Sequence, residues 1–310
     1  MNHTSTAVAV EVLAPWRAQF ASAVDGIAAP VAVGCSGGAD SVALLALAVD
    51  AGLAPTAVHV DHGLRDGSEH EAGLVAAVAA QLGARFEARR APVATGSNLE
   101  ARARATRYDA LERARVMVGA EVVLVGHTAD DQAETVLLNV LRGAAGAGLA
   151  GMSPRRGRIA RPLLEFRRAE TRAMCDALGI SVLDDPMNHD VEFRRVAIRR
   201  EVLPMLSKLA ARDLVPVLAR QAEILRSESE FLDELASAAW PDADSPTVAA
   251  LTALPTVLAR RAVRNWLGSP PPSSSEVERV LAVAAGESRA VELAGGRAVR
   301  RSSGRLSITR

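Results

Sequence analysis

The chain has 310 residues and 49% of them are hydrophobic, so it can bury a substantial core and is not disordered as a whole. Its formal net charge is zero, which argues against a uniformly basic nucleic-acid binder. Its two isolated cysteines disfavour a disulfide scaffold, a zinc knuckle or a cysteine-ligated iron–sulfur cluster. No apolar run reaches the roughly 18–20 residues that span a bilayer, and no basic stretch precedes the first apolar residues. We therefore expect a cytoplasmic protein with no membrane partner.

The first half of the chain alternates between predicted strands and predicted helices. Short runs of apolar and β-branched residues predict four strands, and apolar residues at helical spacing predict the helices between them. The strands are expected at 31–34, 56–61, 85–90 (the weakest) and 121–126. The helices are expected at 8–24, 41–50, 71–82, 97–118 and, after the polar stretch 127–134, through residue 141. This alternation favours a parallel sheet with right-handed crossovers.

The segment that follows predicts less regular structure. Residues 143–157 are glycine-rich and indicate a mobile loop or a broken helix. A helix is expected over 166–178, a short strand over 180–183, and a second helix from 191 that ends near Pro204.

Beyond residue 206 the pattern becomes mainly helical, so we place a domain boundary there, between an N-terminal domain at 1–206 and a C-terminal domain at 207–310. The expected elements are a long helix, one or two further helices, a loop that supplies an N-cap, a last helix and a small β-meander. They lie at 209–239, 248–267, 268–275, 276–285 and 290–309. Residues 251–310 contain ten arginines and four glutamates, so this segment is basic.

The residues between the first strand and its helix have the character of a phosphate site. They are Ser36, Gly37, Gly38, Ala39, Asp40 and Ser41. Two glycines allow the backbone to turn tightly, and a helix N-terminus presents free N–H groups to an anion. Asp40 would repel phosphate unless Mg²⁺ bridged the two, so a nucleotide here implies magnesium. The alternative is an ordinary strand–helix turn in which the helix dipole stabilises Asp40.

Two more polar clusters follow predicted strands, at the sheet edge where ligands bind in parallel α/β folds. The first contains His62 and Arg65, and the alternative for a lone histidine is a structural role. The second contains His127, Asp130, Asp131 and Glu134. Adjacent carboxylates can hold a metal or orient an amine, and a histidine can transfer a proton near neutral pH. Alternatively, Asp131 and Glu134 form only a capping box.

Several arginines share helix faces. Arg104 and Arg107 lie three residues apart with Tyr108 beside them, and Arg195 and Arg199 lie four apart. These pairs indicate either a binding surface or a solvated basic stripe. Six further arginines between 155 and 168 form a cluster to which the sequence assigns no role.

Taken in order, the motifs CSGGADS, VDHGLR, NLEARARATRY, GHTADDQAET, RPLL, DDPMN and a final VLP cover residues 31–204. This ordered set resembles the tRNA(Ile)-lysidine synthetases of the PP-loop ATP pyrophosphatase superfamily. The resemblance implies an adenine-nucleotide α hydrolase-like domain with a parallel sheet, followed by a mainly helical C-terminal domain that holds tRNA. It leaves a homodimer open as the assembly.

The resemblance also implies a reaction. ATP and Mg²⁺ would activate C2 of the wobble cytidine in an isoleucine tRNA with a CAU anticodon, which releases pyrophosphate. The side-chain amine of free lysine would then displace AMP and leave lysidine.

The family's roles transfer to matching positions of this sequence. They would make Asp40, His127 and Asp131 catalytic, with Asp40 also on the metal. The remaining assignments are ATP binding by 36–41, His62 and Arg65; lysine binding by Asp130, Asp131 and Glu134; and tRNA binding by Arg104, Arg195, Arg199, Arg260 and Arg264. One departure is Val196, where the family often has asparagine, so the contact made by that asparagine is in doubt.

Three other classes compete with this interpretation. A PP-loop tRNA thiolase would need reactive cysteines or a cluster, which two isolated cysteines do not supply. A glutamine-dependent synthetase would need a glutaminase signature before the loop, and none is present. A nucleotide-binding module without turnover would leave the carboxylates at 130–134 without a role.

Overall fold

The computed structural model describes residues 11–63, 69–93, 99–183, 194–240 and 246–309. The chain forms two compact units, Met1–Glu223 and Ile224–Arg310. The boundary at residue 206 stays a prediction about where the tRNA-binding part begins. Within the described ranges, no helix combines the length and the apolar character needed to cross a membrane.

The first unit contains a six-stranded sheet. Its strands in chain order are β1 (Ala32–Gly34), β2 (Thr56–Asp61), β3 (Arg85–Arg90), β4 (Val123–Val125), β5 (Arg155–Arg156) and β6 (Ile159–Ala160). Their order across the sheet is β3-β2-β1-β4-β6-β5, and every neighbouring pair is parallel except β5 and β6. The predicted parallel sheet is thus confirmed. The β5–β6 hairpin was not predicted, because strands of two residues carry no periodic pattern.

Seven helices described in this part of the chain surround the sheet. They are α1 (Ala14–Ala23), α2 (Ala39–Asp50), α3 (Glu69–Leu82), α4 (Leu99–Met117), α5 (Ala129–Leu141), α6 (Gly146–Leu149) and α7 (Arg168–Ala177). Helix α2 is buried from Ser41 to Ala48, because it packs between the sheet and α7. This burial fixes the loop that precedes α2 against the edge of the sheet. The capping residue predicted at Ser97 lies outside the described residues.

Two predictions for the end of the first unit are wrong. Residues 180–183 form no strand; instead, the Leu183 N–H donates to the Gly37 carbonyl at 2.9 Å. The helical segment also does not end at Pro204. It continues through α8 (Arg194–Ala197), a π-helical turn (Ile198–Val202) and α9 (Leu203–Leu209). Pro204 lies two residues beyond the π-helical turn, within the continuous helical segment.

The remaining elements are helical and then antiparallel, as predicted. Helix α10 (Val215–Ala239) begins six residues later than expected and is followed by α11 (Val248–Thr252), α12 (Thr256–Leu267), α13 (Ser274–Ala285), β7 (Ala290–Glu292), β8 (Ala298–Ser302) and β9 (Arg305–Thr309). Ser273 caps α13, which confirms the N-cap expected in the loop before it. The three strands form an antiparallel meander, and Val263, Val280 and Val299 pack in the core of this second unit.

Candidate active site

The loop at 36–41 joins β1 to α2 and has the geometry of an anion site. Gly37 has φ +87°, and a Cβ built on it would lie 2.5 Å from Cδ1 of Leu183, so any side chain here would be strained and would clash. Gly126 directly follows β4, and a Cβ built on it would lie only 2.9 Å from the Asp40 carbonyl oxygen. Two glycines therefore let the loop lie closely between β4 and the segment around Leu183.

Hydroxyl groups hold the loop in shape. The Ser41 hydroxyl donates to the Gly38 carbonyl at 2.9 Å and accepts from the Ser36 N–H at 3.2 Å. The Ser36 and Ser41 hydroxyl oxygens lie 3.4 Å apart. Gly38 is the N-cap of α2 and has no side chain to cap the first N–H groups of the helix. These N–H groups remain available to an anion such as phosphate.

Asp40 lies in the first turn of α2 and faces α7. Thr171 donates a hydrogen bond from its hydroxyl to Oδ1 of Asp40, and Nε of Arg168 lies 3.6 Å from Oδ2. Burial raises the pKa of Asp40, and it outweighs the opposing effects of the Thr171 hydrogen bond and the Arg168 charge. The carboxylate is nevertheless about a quarter exposed (26%), so it can reach a ligand in the loop.

The acidic cluster begins at the N-terminus of α5. Thr128 is the N-cap, and Asp131 accepts hydrogen bonds from the Thr128 N–H at 2.8 Å and from the Thr128 hydroxyl at 3.0 Å. The capping box is therefore formed by Thr128 and Asp131, and the alternative box of Asp131 with Glu134 is wrong. Burial alone would raise the pKa of Asp131, but the charge of Arg168 and the Thr128 hydrogen bonds lower it.

All three carboxylates that the resemblance assigns to lysine converge on Arg168. Its backbone N–H donates to Asp130 at 2.8 Å, and its Nη2 donates to Asp131 at 2.9 Å and to Glu134 at 3.4 Å. The same guanidinium faces Asp40. One arginine on α7 thus links the acidic cluster on α5 to the loop before α2.

Glu134 is completely buried, with an exposed side-chain fraction of 0%. Arg199 binds both of its oxygens, Nε at 2.6 Å and Nη2 at 3.3 Å. Such a bidentate pair offsets the cost of burying the carboxylate. Arg199, expected on tRNA, therefore lies within the acidic cluster.

His127 lies two residues beyond the end of β4, beside these groups. Burial lowers its pKa to about 3, although the nearby Asp131 raises it and Arg107 and Arg104 lower it further. The imidazole is therefore neutral at pH 7. Its Nδ1 atom is buried and has no hydrogen-bond partner among the described residues, so a ligand group can bind there.

An arginine–tyrosine cluster lies next to His127. The guanidinium carbons of Arg104 and Arg107 lie 5.0 and 5.5 Å from the centre of the Tyr108 ring. Arg161 is 8% exposed, and its Nη1 donates to the Ser153 carbonyl at 2.8 Å. Burial lowers the pKa of Arg107 and of Arg161. This concentration of positive charge suits a polyanion.

The loop after β2 contributes His62. Its Nδ1 lies 3.2 Å from the Ala91 carbonyl, which ties the end of β2 to the chain that leaves β3. Arg65 lies outside the described residues. Beneath the loop at 36–41, buried His59 places Nδ1 3.1 Å from the Cys35 carbonyl.

The remaining predicted tRNA contacts fall in different places. Val196 is buried in α8, so no polar side chain replaces the family's asparagine there. Arg195 interacts electrostatically with Arg107 and so belongs near the arginine–tyrosine cluster. In the second unit, Arg260 is exposed and pairs with Glu278 at 2.6 Å, and Arg264 donates to the Pro272 carbonyl at 3.4 Å.

Four residues of the site escaped the sequence analysis. Arg168 and Arg161 were visible only as part of an arginine cluster, and Thr171 and Asp213 carried no signal. Asp213 pairs with Arg167, which also binds Asp130 at 3.2 Å. Each of these contacts joins residues far apart in the chain, and local spacing does not report such contacts.

Comparison with known families agrees with the fold and the loop geometry. The model of a PP-loop domain matches residues 17–206, and the model of a TilS substrate binding domain matches residues 247–307. Among solved structures, a U34-tRNA thiolase from Methanococcus maripaludis, with its [4Fe-4S] cluster, superimposes with a TM-score of 0.58 at 17% identity. The match covers 70% of this chain and 80% of that one. At this identity the likeness concerns the fold alone.

Curated relatives identify the family within this class. A tRNA(Ile)-lysidine synthase from Nocardia farcinica is 42% identical over 86% of this chain and 85% of its own length. Enzymes of the same name from Salinispora arenicola and Mycobacterium tuberculosis are 40% and 43% identical, covering 91% and 76% of this chain and 91% and 74% of their own lengths. The chain belongs to the tRNA(Ile)-lysidine synthase family, whose members are ligases with a PP-loop domain.

Proposed function

We propose that this enzyme forms lysidine through an adenylated wobble cytidine. In this proposal the loop at 36–41 serves the adenylation of the cytidine, and the cluster at 127–134 serves the transfer of lysine. ATP-dependent formation of lysidine on tRNA(Ile) follows from membership of the family. One observation carries the assignment of residues: Arg168 links Asp40, beside the loop, to Asp131 and Glu134 in the acidic cluster.

The loop at 36–41 suits the phosphates of ATP. Two serine hydroxyls and the uncapped N-terminus of α2 lie together, and Gly37 allows the loop to pack closely against Leu183. His62 lies at the end of the neighbouring strand and is proposed, with Arg65, to cover the nucleotide.

Magnesium would be held by Asp40 together with the phosphates. Among the described residues no group of three or more His, Cys, Asp or Glu side chains could hold a metal ion without other ligands. A single partly exposed carboxylate still fits, since Mg²⁺ typically takes one or two carboxylates and completes its shell with phosphates and water. When bound, the ion would neutralise charge on the phosphates.

The acidic cluster suits the second half-reaction. The lysine amine forms a bond to C2 of the cytidine, the bond from C2 to the AMP oxygen breaks, and the amine loses a proton. Asp130 and Asp131 are proposed to attract the cationic substrate, and neutral His127, with its unpartnered Nδ1, is proposed to accept that proton.

The tRNA is proposed to meet two sets of basic side chains. In the first unit, Arg104 and Arg195 belong to the region around Tyr108, where an aromatic ring flanked by guanidinium groups can stack on an unpaired base. In the second unit, Arg260 and Arg264 are proposed to contact the phosphate backbone.

Sulfur chemistry is the main competing function, because a tRNA thiolase shares the fold. An iron–sulfur cluster requires three or four cysteine ligands in most proteins. This chain has Cys35 and Cys175, both buried, and burial raises the pKa of each thiol. Neither has the exposed, low-pKa environment of a reactive cysteine.

The adenylated cytidine has a direct test. The enzyme is incubated with ATP labelled in the α-phosphate and the CAU-anticodon tRNA, without lysine. Label should enter the tRNA and leave as AMP when unlabelled lysine is added. The same tRNA with uridine at the wobble position is the control. Lysidine formation with no label ever on the tRNA would overturn the proposed intermediate.

A further inference from the structure

The buried face of α7 contacts the first turn of α2 at two levels. Thr171 donates a hydrogen bond from its hydroxyl to Oδ1 of Asp40, and one turn further along α7 the Cys175 thiol donates to the Ala39 carbonyl at 3.5 Å. Both side chains on α7 are fully buried, and residues four apart share one face of a helix. Helix α7 therefore supports residues 39–40, where the loop enters α2.

The Thr171 hydroxyl has two acceptors within reach but one hydrogen to donate. Besides Asp40, the Arg168 carbonyl lies 2.9 Å from it, one turn earlier in α7. A hydrogen bond to an ionised carboxylate is roughly twice as strong as one to a neutral carbonyl, so the ionised Asp40 takes the hydrogen. The hydroxyl cannot turn to solvent, because the side chain is buried. Its polar contact outside α7 is thus with the carboxylate that is proposed to bind magnesium.

The second oxygen of Asp40 has a looser contact. Oδ2 lies 3.6 Å from Nε of Arg168, which is too far for a hydrogen bond. Arg168 is itself held in place, since its Nη2 donates to Asp131 at 2.9 Å. A full ion pair with Arg168 would therefore require the Asp40 carboxylate to turn, and the hydrogen bond from Thr171 opposes that turn. Oδ2 stays available to a cation at the loop.

We infer that Thr171 is a positioning residue of the proposed magnesium site: its hydroxyl withholds the Asp40 carboxylate from Arg168 and keeps Oδ2 available to the metal. The inference rests on the proposed function, because it concerns the carboxylate to which the metal is assigned there. Thr171 touches neither the metal nor a phosphate in this assignment. It acts through Asp40, which lies 131 residues away in the chain.

The consequence is a measurable coupling between the metal and the nucleotide. Without a metal, the charge of Asp40 repels the phosphates of ATP. With Mg²⁺ bound, the carboxylate and the phosphates share the ion instead. The affinity for ATP should therefore rise when Mg²⁺ is added, and we call the ratio of the two Kd values the magnesium gain. An Asp40 carboxylate that pairs with Arg168 would share the ion less well, so loss of the Thr171 hydroxyl should reduce the gain.

The experiment measures the magnesium gain by calorimetry of ATP binding to the full chain, with excess Mg²⁺ and with EDTA, in the absence of tRNA and lysine. T171V replaces the hydroxyl with a methyl group of similar size. Its gain should be at least about fivefold smaller than that of the wild-type protein, the order expected for one hydrogen bond to a charged group. T171A also lacks the hydroxyl and should lose the gain in the same way. T171S keeps the hydroxyl, so its gain should stay within about twofold of the wild-type value.

The double variant D40N/T171V shows whether Thr171 acts through Asp40. D40N alone should lose most of the magnesium gain, because it removes the carboxylate proposed to bind the metal, and T171V should then cause no further loss. A merely structural role of Thr171 would lower the gain by the same factor in both backgrounds. That result would overturn the inference.

T56V is the matched control for the removal of a buried hydroxyl from the same unit. Thr56 is 2% exposed at the start of β2, and its Oγ1 has no hydrogen-bond partner among the described residues. The magnesium gain of T56V should equal that of the wild-type protein. An unchanged gain in T171V and T171A, together with a lost gain in D40N, would overturn the inference and leave the proposed function standing. A full gain in D40N, or no gain in the wild-type protein, would overturn both the inference and the assignment of the metal to Asp40.

Discussion

Asp40 is a residue with two sets of neighbours. Its side chain accepts a hydrogen bond from Thr171 and faces Arg168, while its backbone lies in the loop that suits phosphate. Burial raises the pKa of Asp40, so ionising this carboxylate costs more free energy than it would in water. A carboxylate whose pKa is shifted in this way, in the first turn of a helix beside a ligand site, is typical of a functional group.

The substitution D40N keeps the shape of the side chain and removes its charge. If Asp40 binds the metal, release of pyrophosphate should fall by about 10²–10³, the usual effect of removing one stabilising group. Affinity for tRNA should stay within about twofold by filter binding. D50N is the control at the other end of α2, where Asp50 pairs with Arg17. Equal pyrophosphate release in D40N and D50N would remove Asp40 from the mechanism.

His127 makes the stability of the folded chain depend on pH. Its pKa is about 3 in the folded chain, because burial disfavours the charged imidazole, and about 6.5 when unfolded. Between these values the unfolded chain binds more protons, so stability is present above about pH 6.5 and falls as the pH is lowered towards 3.

Urea unfolding at pH 7.0, 5.5 and 4.5 tests this sign. In H127Q the loss of stability on acidification should be smaller, by an amount on the order of a few kcal/mol at the lowest pH. H70Q, at an exposed position of α3, is the matched histidine control. Parallel curves for H127Q and the wild-type protein would contradict the burial of a neutral imidazole.

At the scale of elements, β1, the loop and α2 form one unit whose shape depends on a glycine. In G37A the new methyl group would meet Leu183 at a backbone φ that L-residues rarely adopt. The loop should distort, and affinity for ATP should fall at least about tenfold.

G52A is the control for backbone strain alone. Gly52 also has a positive φ of 72°, but a Cβ there would meet nothing within 4 Å. Both variants should lose some stability in thermal unfolding, and only G37A should lose nucleotide binding by calorimetry. Normal ATP affinity in G37A would argue against a close approach of phosphate to this loop.

The sheet could be predicted because its strands are encoded locally. β2 and β3 begin and end at the predicted residues, and β1 and β4 differ by at most two residues at either end. Polar side chains follow three of these strands, which predicted three polar clusters at the carboxyl edge of the sheet. The helix cap expected in the loop before α13, at Ser273, follows the same local rules.

Long-range pairing could not be predicted in the same way. Thr171 lies 131 residues from Asp40, and Arg199 lies 65 residues from Glu134. No periodic pattern reports such contacts. The strand predicted at 180–183 failed for a related reason: its residues have strand propensity, but the neighbour that pairs with them is the turn at Gly37.

At the scale of the whole molecule, the proposed catalytic groups and the most basic segment lie in different parts of the chain. The carboxylates of the proposed active site lie in the first unit, whereas residues 251–310 carry a net positive charge. Phosphate contacts made by exposed arginines contribute affinity that depends on salt.

The charge reversal R260E/R264E tests the second unit. It should weaken tRNA binding at least about tenfold at low salt and reduce the slope of log affinity against log salt by roughly 1.5–2. R113E/R172E changes the net charge equally at exposed positions of α4 and α7, to which no tRNA contact is assigned. If both double variants lose affinity equally, the effect reflects net charge and not a site at 260–264.

The most direct measurement of the central claim follows lysine itself. Purified enzyme is incubated with ATP, Mg²⁺, radiolabelled lysine and isoleucine tRNA with a CAU anticodon. The account predicts label at the wobble position of the tRNA, with one AMP and one pyrophosphate released for each lysine incorporated. Enzyme that binds ATP and tRNA but never transfers label from lysine to the tRNA would contradict it.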